Sequence, residues 1–213
     1  MTAAKPLSRR RVLVAGLSAA ALLGARSAGA AVLATPSAGT GPFYPESLPL
    51  DSDADLVQVA GRPDRAAGEV THLFGRLLDR EGAPISGARV EIWQCDAGGV
   101  YHHSRDRRFG EADENFQGFG AAKTSGGGEY RFRTIKPVPY PSRTPHIHFR
   151  ILAPGHAPFT TQMYVAGHPL NADDILFRRI AADERGRVTV AFVPAPEIEA
   201  GALMAGFDIA LPA

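Results

Sequence analysis

From residue 70 onward, apolar and polar positions alternate in short runs separated by turns rich in glycine and proline. "HLFGRLL" leads into the turn "DREGAP". "ARVEIWQC" sets Val90, Ile92 and Gln94 against Glu91 and Trp93, and "GEYRFRTI" sets Tyr130, Phe132 and Thr134 against Arg131, Arg133 and Ile135. "HIHFRIL", "FTTQMYV", "RVTVAFV" and "GFDIAL" continue the series. A period of two belongs to a strand with one covered face. Several such strands at fairly regular spacing predict one all-β domain over residues 70–213, an antiparallel β-sandwich with little helix. Only "ADDILFRRIAA" has a helical pattern, and it is short. Residues 31–69, rich in Ala, Pro, Gly, Ser and Asp, predict an extended arm. Irregular stretches at 96–128 and 136–145 are the kind of loops on which sandwiches carry their sites.

The first 30 residues differ from the rest. Ser8-Arg9-Arg10-Arg11 precedes an apolar run from Val12 to Gly24, and Ala28–Ala30 supplies small residues. The run is too short to span a bilayer and fits a signal peptide of residues 1–30. The paired arginines resemble a twin-arginine (Tat) signal, which implies export to the periplasm or medium, often after folding and metal loading. Removing this segment changes the charge: the whole chain is net +1, but residues 31–213 hold 18 Lys and Arg against 22 Asp and Glu, net −4. No basic tract remains for nucleic acid or for a membrane surface in the mature form. Cys95 is the only cysteine, so no intrachain disulfide forms, and it reads as a buried small hydrophobe.

The chemistry concentrates in "PYPSRTPHIHFR", Pro139 to Arg150. On a strand, His146 and His148 point to one face about 7 Å apart at their bases, with Ile147 on the other. Two imidazoles can so converge on one ion. No cysteine lies nearby for a thiolate site. A cupin site would want a glutamate soon after the second histidine, where Phe149, Arg150, Ile151 and Leu152 stand instead. A ferrous site with two histidines and one carboxylate needs an acid of suggestive spacing, and none offers itself. Tyr140 does lie close, and Tyr101 follows the tryptophan-bearing strand. A phenolate is a hard anionic donor that Fe(III) can hold ionised well below the free pKa of about 10. Two phenolates with two neutral imidazoles nearly balance a ferric ion. Each tyrosine alone also fits a half-buried sandwich residue whose hydroxyl finds a partner.

Taken together, "GPFYP" at 41–45, "GAPISGARVEIWQCDAGGVY" at 82–101, "GEYRFRTIKPVPYP" at 128–141, "RTPHIHFRI" at 143–151, "TTQMYV" at 160–165 and "FDIAL" at 207–211 resemble the intradiol ring-cleaving catechol dioxygenases, in particular the protocatechuate 3,4-dioxygenase type. That resemblance implies a prealbumin-like sandwich and a non-haem Fe(III) held by Tyr101, Tyr140, His146 and His148. It implies an aromatic diol and O2 as substrates, and a cis,cis-muconate-type diacid as product. Tyr140 matches the ligand that accepts a substrate proton, Arg143 the arginine that stabilises charge on the ring, and Gln162 a pocket glutamine.

There is one departure. Only Pro141 and Ser142 separate Tyr140 from Arg143 where the family usually carries a longer loop, so a more open mouth and a displaced Arg143 are expected. No helical domain of the catechol 1,2-dioxygenase kind precedes the sandwich, which points away from that branch. The rivals are an exported prealbumin-like binding or adhesion module without iron, and a zinc protein of the same fold. Assembly as a homo-oligomer stays open. His102 and His103 read as solvated loop residues, with shaping of the pocket as the alternative, and Arg105, Arg107 and Arg108 in "SRDRRFGEADENF" as a polar loop, with a grip on an acidic substrate as the alternative. Gly126–Gly128 is a flexible turn and not a phosphate cradle, because no helix follows it.

Overall fold

Strand alternation here pairs into two five-stranded sheets. In the computed structural model, residues 32–106 and 110–212 are described. The segment read as a signal peptide, together with Arg107 and Arg108, lies outside these residues. The strands are β1 (Val70–Leu78), β2 (Arg89–Trp93), β3 (Phe119–Lys123), β4 (Glu129–Ile135), β5 (His146–Leu152), β6 (Phe159–Val165), β7 (Thr189–Val190), β8 (Val193–Pro194), β9 (Leu203–Gly206) and β10 (Ile209–Ala210). One helix, α1 (Ile175–Arg179), follows β6. Strands β3-β2-β5-β6-β7 form one sheet, and β4, β1, β8, β9 and β10 form the other. The fold is all-β, as expected. Its sheets are mixed, however: β1–β9, β1–β10 and β6–β7 run parallel while the other pairs are antiparallel. Parallel neighbours need a long crossover, and the connection from β6 to β7, which carries α1, is one.

Two segments differ from the sequence pattern. "RVTVAFV" is not one strand: β7 pairs with β6 in one sheet and β8 with β9 in the other, so the chain crosses between sheets at Ala191 and Phe192. Strand β3, "FGAAK", sits inside a stretch expected to be irregular. Its small residues serve the arm. A Cβ at Gly120 would come within 2.6 Å of the Asp53 carbonyl and 2.5 Å of a Leu56 methyl. Similarly, a Cβ at Gly75 would lie 1.9 Å from the Phe207 carbonyl, which bulges in where β1 changes partner from β9 to β10.

Residues 32–69 contain no helix or extended strand, yet they are built into the domain. The Ala121 amide donates to the Ser52 carbonyl, the Arg133 amide to Ala54, and the Leu56 amide to Arg133. These bonds occupy backbone groups of β3 and β4, the edge strands of the two sheets. Leu56 and Val57 then enter the core between the sheets, beside Leu73, Val90, Phe132 and Ile147. Leu56→Ala is expected to destabilise the protein by about 2–5 kcal/mol through lost burial and a residual cavity, measured by denaturant unfolding. A loss below about 1 kcal/mol would mean that the arm is a dispensable cover.

Candidate active site

Strand β5 divides its residues between two environments. Ile147, Phe149 and Ile151 face the core between the sheets. His146 and His148 face the opposite side, beneath the arm and the loops before β3 and β5. The register puts His148 between Trp93 on β2 and Gln162 on β6, and His146 beside Tyr164. Trp93 stacks on His148, with ring centroids 4.7 Å apart and planes 10° from parallel.

The two imidazoles converge, with their Nε2 atoms 3.2 Å apart. His146 Nδ1 lies 2.7 Å from the Thr144 carbonyl, which can only accept, so that nitrogen carries the proton and Nε2 presents its lone pair. Both phenols complete the group. Ring centroids are 5.4 Å apart for Tyr101–Tyr140, 5.4 Å for Tyr140–His146, 4.8 Å for His146–His148 and 6.3 Å for Tyr101–His148. Phe43 of the arm stacks on Tyr101 at 4.6 Å and meets Tyr140 edge-on at 6.2 Å.

Arg143 reaches the Tyr140 hydroxyl across the short loop. The short loop closes as a turn in which the Arg143 amide donates to the Tyr140 carbonyl at 2.9 Å, with Ser142 in the left-handed region at φ 64°. The guanidinium donates from Nη1 to Tyr140 Oη at 3.2 Å, from Nη2 to Gln162 Oε1 at 2.7 Å and from Nε to Asp174 Oδ2 at 2.8 Å. Gln162 Oε1 also accepts from the Tyr164 hydroxyl. Asp174 is buried. It accepts from the Thr144 amide and caps α1 by accepting from Leu176 and Phe177.

Electrostatics fix the protonation states. Burial, reinforced by Arg143, brings His146 down to about 3, and burial together with His146 holds His148 well below the usual range, so both rings are neutral near pH 7. Burial pushes the Tyr101 hydroxyl up, and the neighbouring Tyr140 adds to this. Burial also raises Tyr140, opposed by Arg143. Asp174 is pushed up by burial, but the Phe177 and Thr144 amides and Arg143 more than offset that and hold it below the carboxylate range. Burial pushes the Cys95 thiol up to about 12, which leaves it protonated and inert.

A histidine whose pKa falls on folding binds fewer protons folded than unfolded. Stability therefore declines as pH drops below about 6.5. In metal-free protein, lowering the pH from 6.5 to 5 is expected to cost about 1.5 kcal/mol for His146, and His148 adds to the loss in the same direction. Denaturant midpoints at the two pH values check this, and an unchanged midpoint would refute the burial of these rings.

Do these residues suit a metal? Among the described residues, no group of three or more His, Cys, Asp or Glu side chains could hold one. Two histidines therefore require other donors, and phenols are what stand beside them. The Tyr101 hydroxyl is buried without a hydrogen-bond partner, as are His148 Nδ1 and Trp93 Nε1. Each such orphan costs about 1–3 kcal/mol unless something fills the space. A hard trivalent cation suits the phenols because it reverses the effect of burial on them.

Six candidate residues thus meet in one place: Tyr101, Tyr140, Arg143, His146, His148 and Gln162. Other histidines and the loop arginine of the sequence reading lie elsewhere. His102 bonds the Asp113 carbonyl, His72 pairs with Glu199, His168 caps the turn at Leu170, and Arg105 sits 3.8 Å from Glu46 on the surface. Phe43, Trp93, Tyr164 and Asp174 went unnoticed in the sequence. Strand register supplies the signal for Trp93 and Tyr164, and an aspartate before the apolar "ILF" is a helix-cap signal for Asp174.

Comparison with known proteins identifies the family. The family model described as Dioxygenase matches residues 39–192. The protocatechuate 3,4-dioxygenase beta chain of Burkholderia cepacia is 37% identical over 167 residues, covering 75% of this chain and 71% of that one. Hydroxyquinol 1,2-dioxygenase of Corynebacterium glutamicum is 34% identical over 157 residues, 64% of this chain and 48% of that one, so this chain spans about half its length. Among solved structures, the dioxygenase domain of a dioxygenase–carbohydrate-binding protein fusion from Streptomyces sp. SirexAA-E superposes with a TM-score of 0.65 at 28% identity, over 84% of this chain and 97% of that one. With the family model covering most of the strands, and these relatives sharing sequence and fold, the chain belongs to the intradiol ring-cleavage dioxygenases.

Proposed function

We propose that the protein cleaves a catechol-type ring between its two hydroxylated carbons, using one non-haem Fe(III) held by Tyr101, Tyr140, His146 and His148. The observation that carries this reading is the convergence of two neutral imidazoles on two phenols, one of which has a buried hydroxyl without any partner. When bound, the ferric ion would supply Lewis-acid activation of the diol toward O2. The overall reaction breaks one ring carbon–carbon bond and places both oxygen atoms in the carboxyl groups of a cis,cis-muconate-type diacid; the two protons of the diol balance those of the diacid and are released as it ionises to the dicarboxylate.

The chain's own residues account for the remaining steps. Tyr140 Oη is the proton acceptor for one substrate hydroxyl. Arg143, which already donates to that oxygen, stabilises its anionic form and then faces the negative charge that develops on the ring. Gln162 and Asp174 fix the guanidinium in that position. Phe43 and Trp93 cover the centre and exclude water. The N-terminal sequence supports export by the twin-arginine route, with residues 31–69 acting as part of the catalytic unit. A binding module without iron is not favoured, since it gives no reason for the orphaned Tyr101 hydroxyl to lie against two facing imidazoles.

The test is to purify the protein and measure iron content, the visible spectrum and oxygen uptake with substituted catechols. About one iron per chain, a broad phenolate-to-iron band and diol-dependent uptake are expected. Colourless protein without uptake would refute the reading, and colourless protein containing zinc would identify the zinc rival.

A further inference from the structure

A cavity of about 470 Å³ lies between arm residues 36–39 and α1, and its lining includes Gln162 and Tyr164 at one place and Leu176, Arg179, Ile180 and Glu184 at another. Its size falls within the range of drug-sized ligand sites and exceeds what a bare benzenediol needs. It adjoins the candidate active site through a shared residue: Gln162 lines it, and Gln162 Oε1 accepts from Arg143. Leu176 and Arg179 stand at i and i+3 and so share one face of the helical turn, with Ile180 following as its C-cap. Along that face the chain moves away from the reaction centre: Asp174, the cap of α1, holds Arg143, and Arg179 is five residues further on. At a helical rise of about 1.5 Å per residue, the Cα of Arg179 lies about 7–8 Å along the axis from that of the cap.

The charges on this wall are not balanced. Glu184 is paired with Arg187 at 2.5 Å. Arg179 makes no ion pair or side-chain hydrogen bond among the described residues. The wall thus runs from an amide and a phenol, past leucine and isoleucine, to one uncompensated cation.

Resting on the function proposed above, we infer that this cavity holds a ring substituent, and that the preferred substrates are catechols bearing a carboxylate on a short apolar spacer, with Arg179 as the residue that selects for the carboxylate. A carboxylate on a spacer extends further along this wall toward Arg179 than one attached directly to the ring, and a neutral side chain would leave the cation unused. Arginine suits this role because its planar fork pairs with a carboxylate in two parallel hydrogen bonds.

The test compares 3-(3,4-dihydroxyphenyl)propanoate with its neutral amide, and with 3,4-dihydroxybenzoate, in the iron-loaded protein. The readouts are kcat/KM under air and calorimetric binding without oxygen. The propanoate is expected to be favoured over its amide by about tenfold in both, roughly the effect of one charge-assisted hydrogen bond. Arg179→Gln should abolish that ratio and Arg179→Glu invert it, whereas Arg178→Gln, on the same helix but outside the cavity, should keep it. Equal binding of acid and amide, or a ratio unchanged in Arg179→Gln, would overturn the inference even if every diol is cleaved. Selective binding without turnover of any diol would support the cavity's role while refuting the proposed reaction, so the two failures are distinct.

Discussion

Tyr140→Phe is expected to lower kcat by about 10²–10⁴-fold while leaving the fold and most of the bound iron in place, because it removes the proposed proton acceptor and one of four donors. The substitution deletes a single oxygen. The ring keeps its edge-on contacts with Phe43 and Tyr101. Arg143 loses one of three side-chain acceptors but keeps Gln162 and Asp174. Tyr101→Phe should behave differently. Its hydroxyl makes no well-formed protein hydrogen bond, so removing it acts chiefly through the metal. The corresponding prediction is lower iron content and a weakened visible band without loss of stability in metal-free protein. Iron analysis, the visible spectrum and single-turnover decay of a diol separate the two variants. If Tyr140→Phe retained wild-type kcat, the proton-acceptor role would fall. If Tyr101→Phe bound iron with an unchanged band, the ligand set would fall.

Much of this site is visible in the sequence because strand geometry is regular. "HIH" on a strand forces His146 and His148 onto one face, and the same rule puts Ile147 into the core. Cross-strand neighbours were less accessible. Trp93 stacks on His148 only because β2 and β5 pair in one register, and register depends on the whole sheet. The parallel pairings of β7, β9 and β10 were hidden for the same reason, since a two-residue strand such as β10 carries too little pattern to name its partner. Strand β3 was invisible because Gly120 and its alanines answer to the arm packing over them and not to strand propensity. Arg143 shows the opposite case. Loop length alone suggested displacement, but Asp174, which is distant in sequence, holds it.

That contact makes the Arg143 variants informative, because structural and chemical effects can be separated. Asp174 is fully buried, and the Arg143 side chain is only 11% exposed. Arg143→Ala would leave a buried carboxylate without its countercharge, an expected cost of about 3–5 kcal/mol. Any loss of activity would then be confounded with loss of fold. Arg143→Lys keeps the charge, but one ammonium cannot serve Tyr140, Gln162 and Asp174 from three directions. It should cost far less stability and still reduce kcat by about 10²–10³-fold, the scale of losing one preorganised donor to a charged transition state. The decisive variant is Arg143→Met with Asp174→Asn. The asparagine Oδ1 can still cap α1 and the neutral pair avoids the buried charge, although the Thr144 amide loses its Oδ2 acceptor, so stability should recover relative to Arg143→Ala but stay about 1–3 kcal/mol below that of Arg143→Lys. Activity should not return with it. Denaturant unfolding together with steady-state kinetics on one diol decides the matter. Recovery of kcat alongside stability would mean that Arg143 serves only to neutralise Asp174, and persistent inactivity in a stable protein means that its guanidinium acts on the substrate.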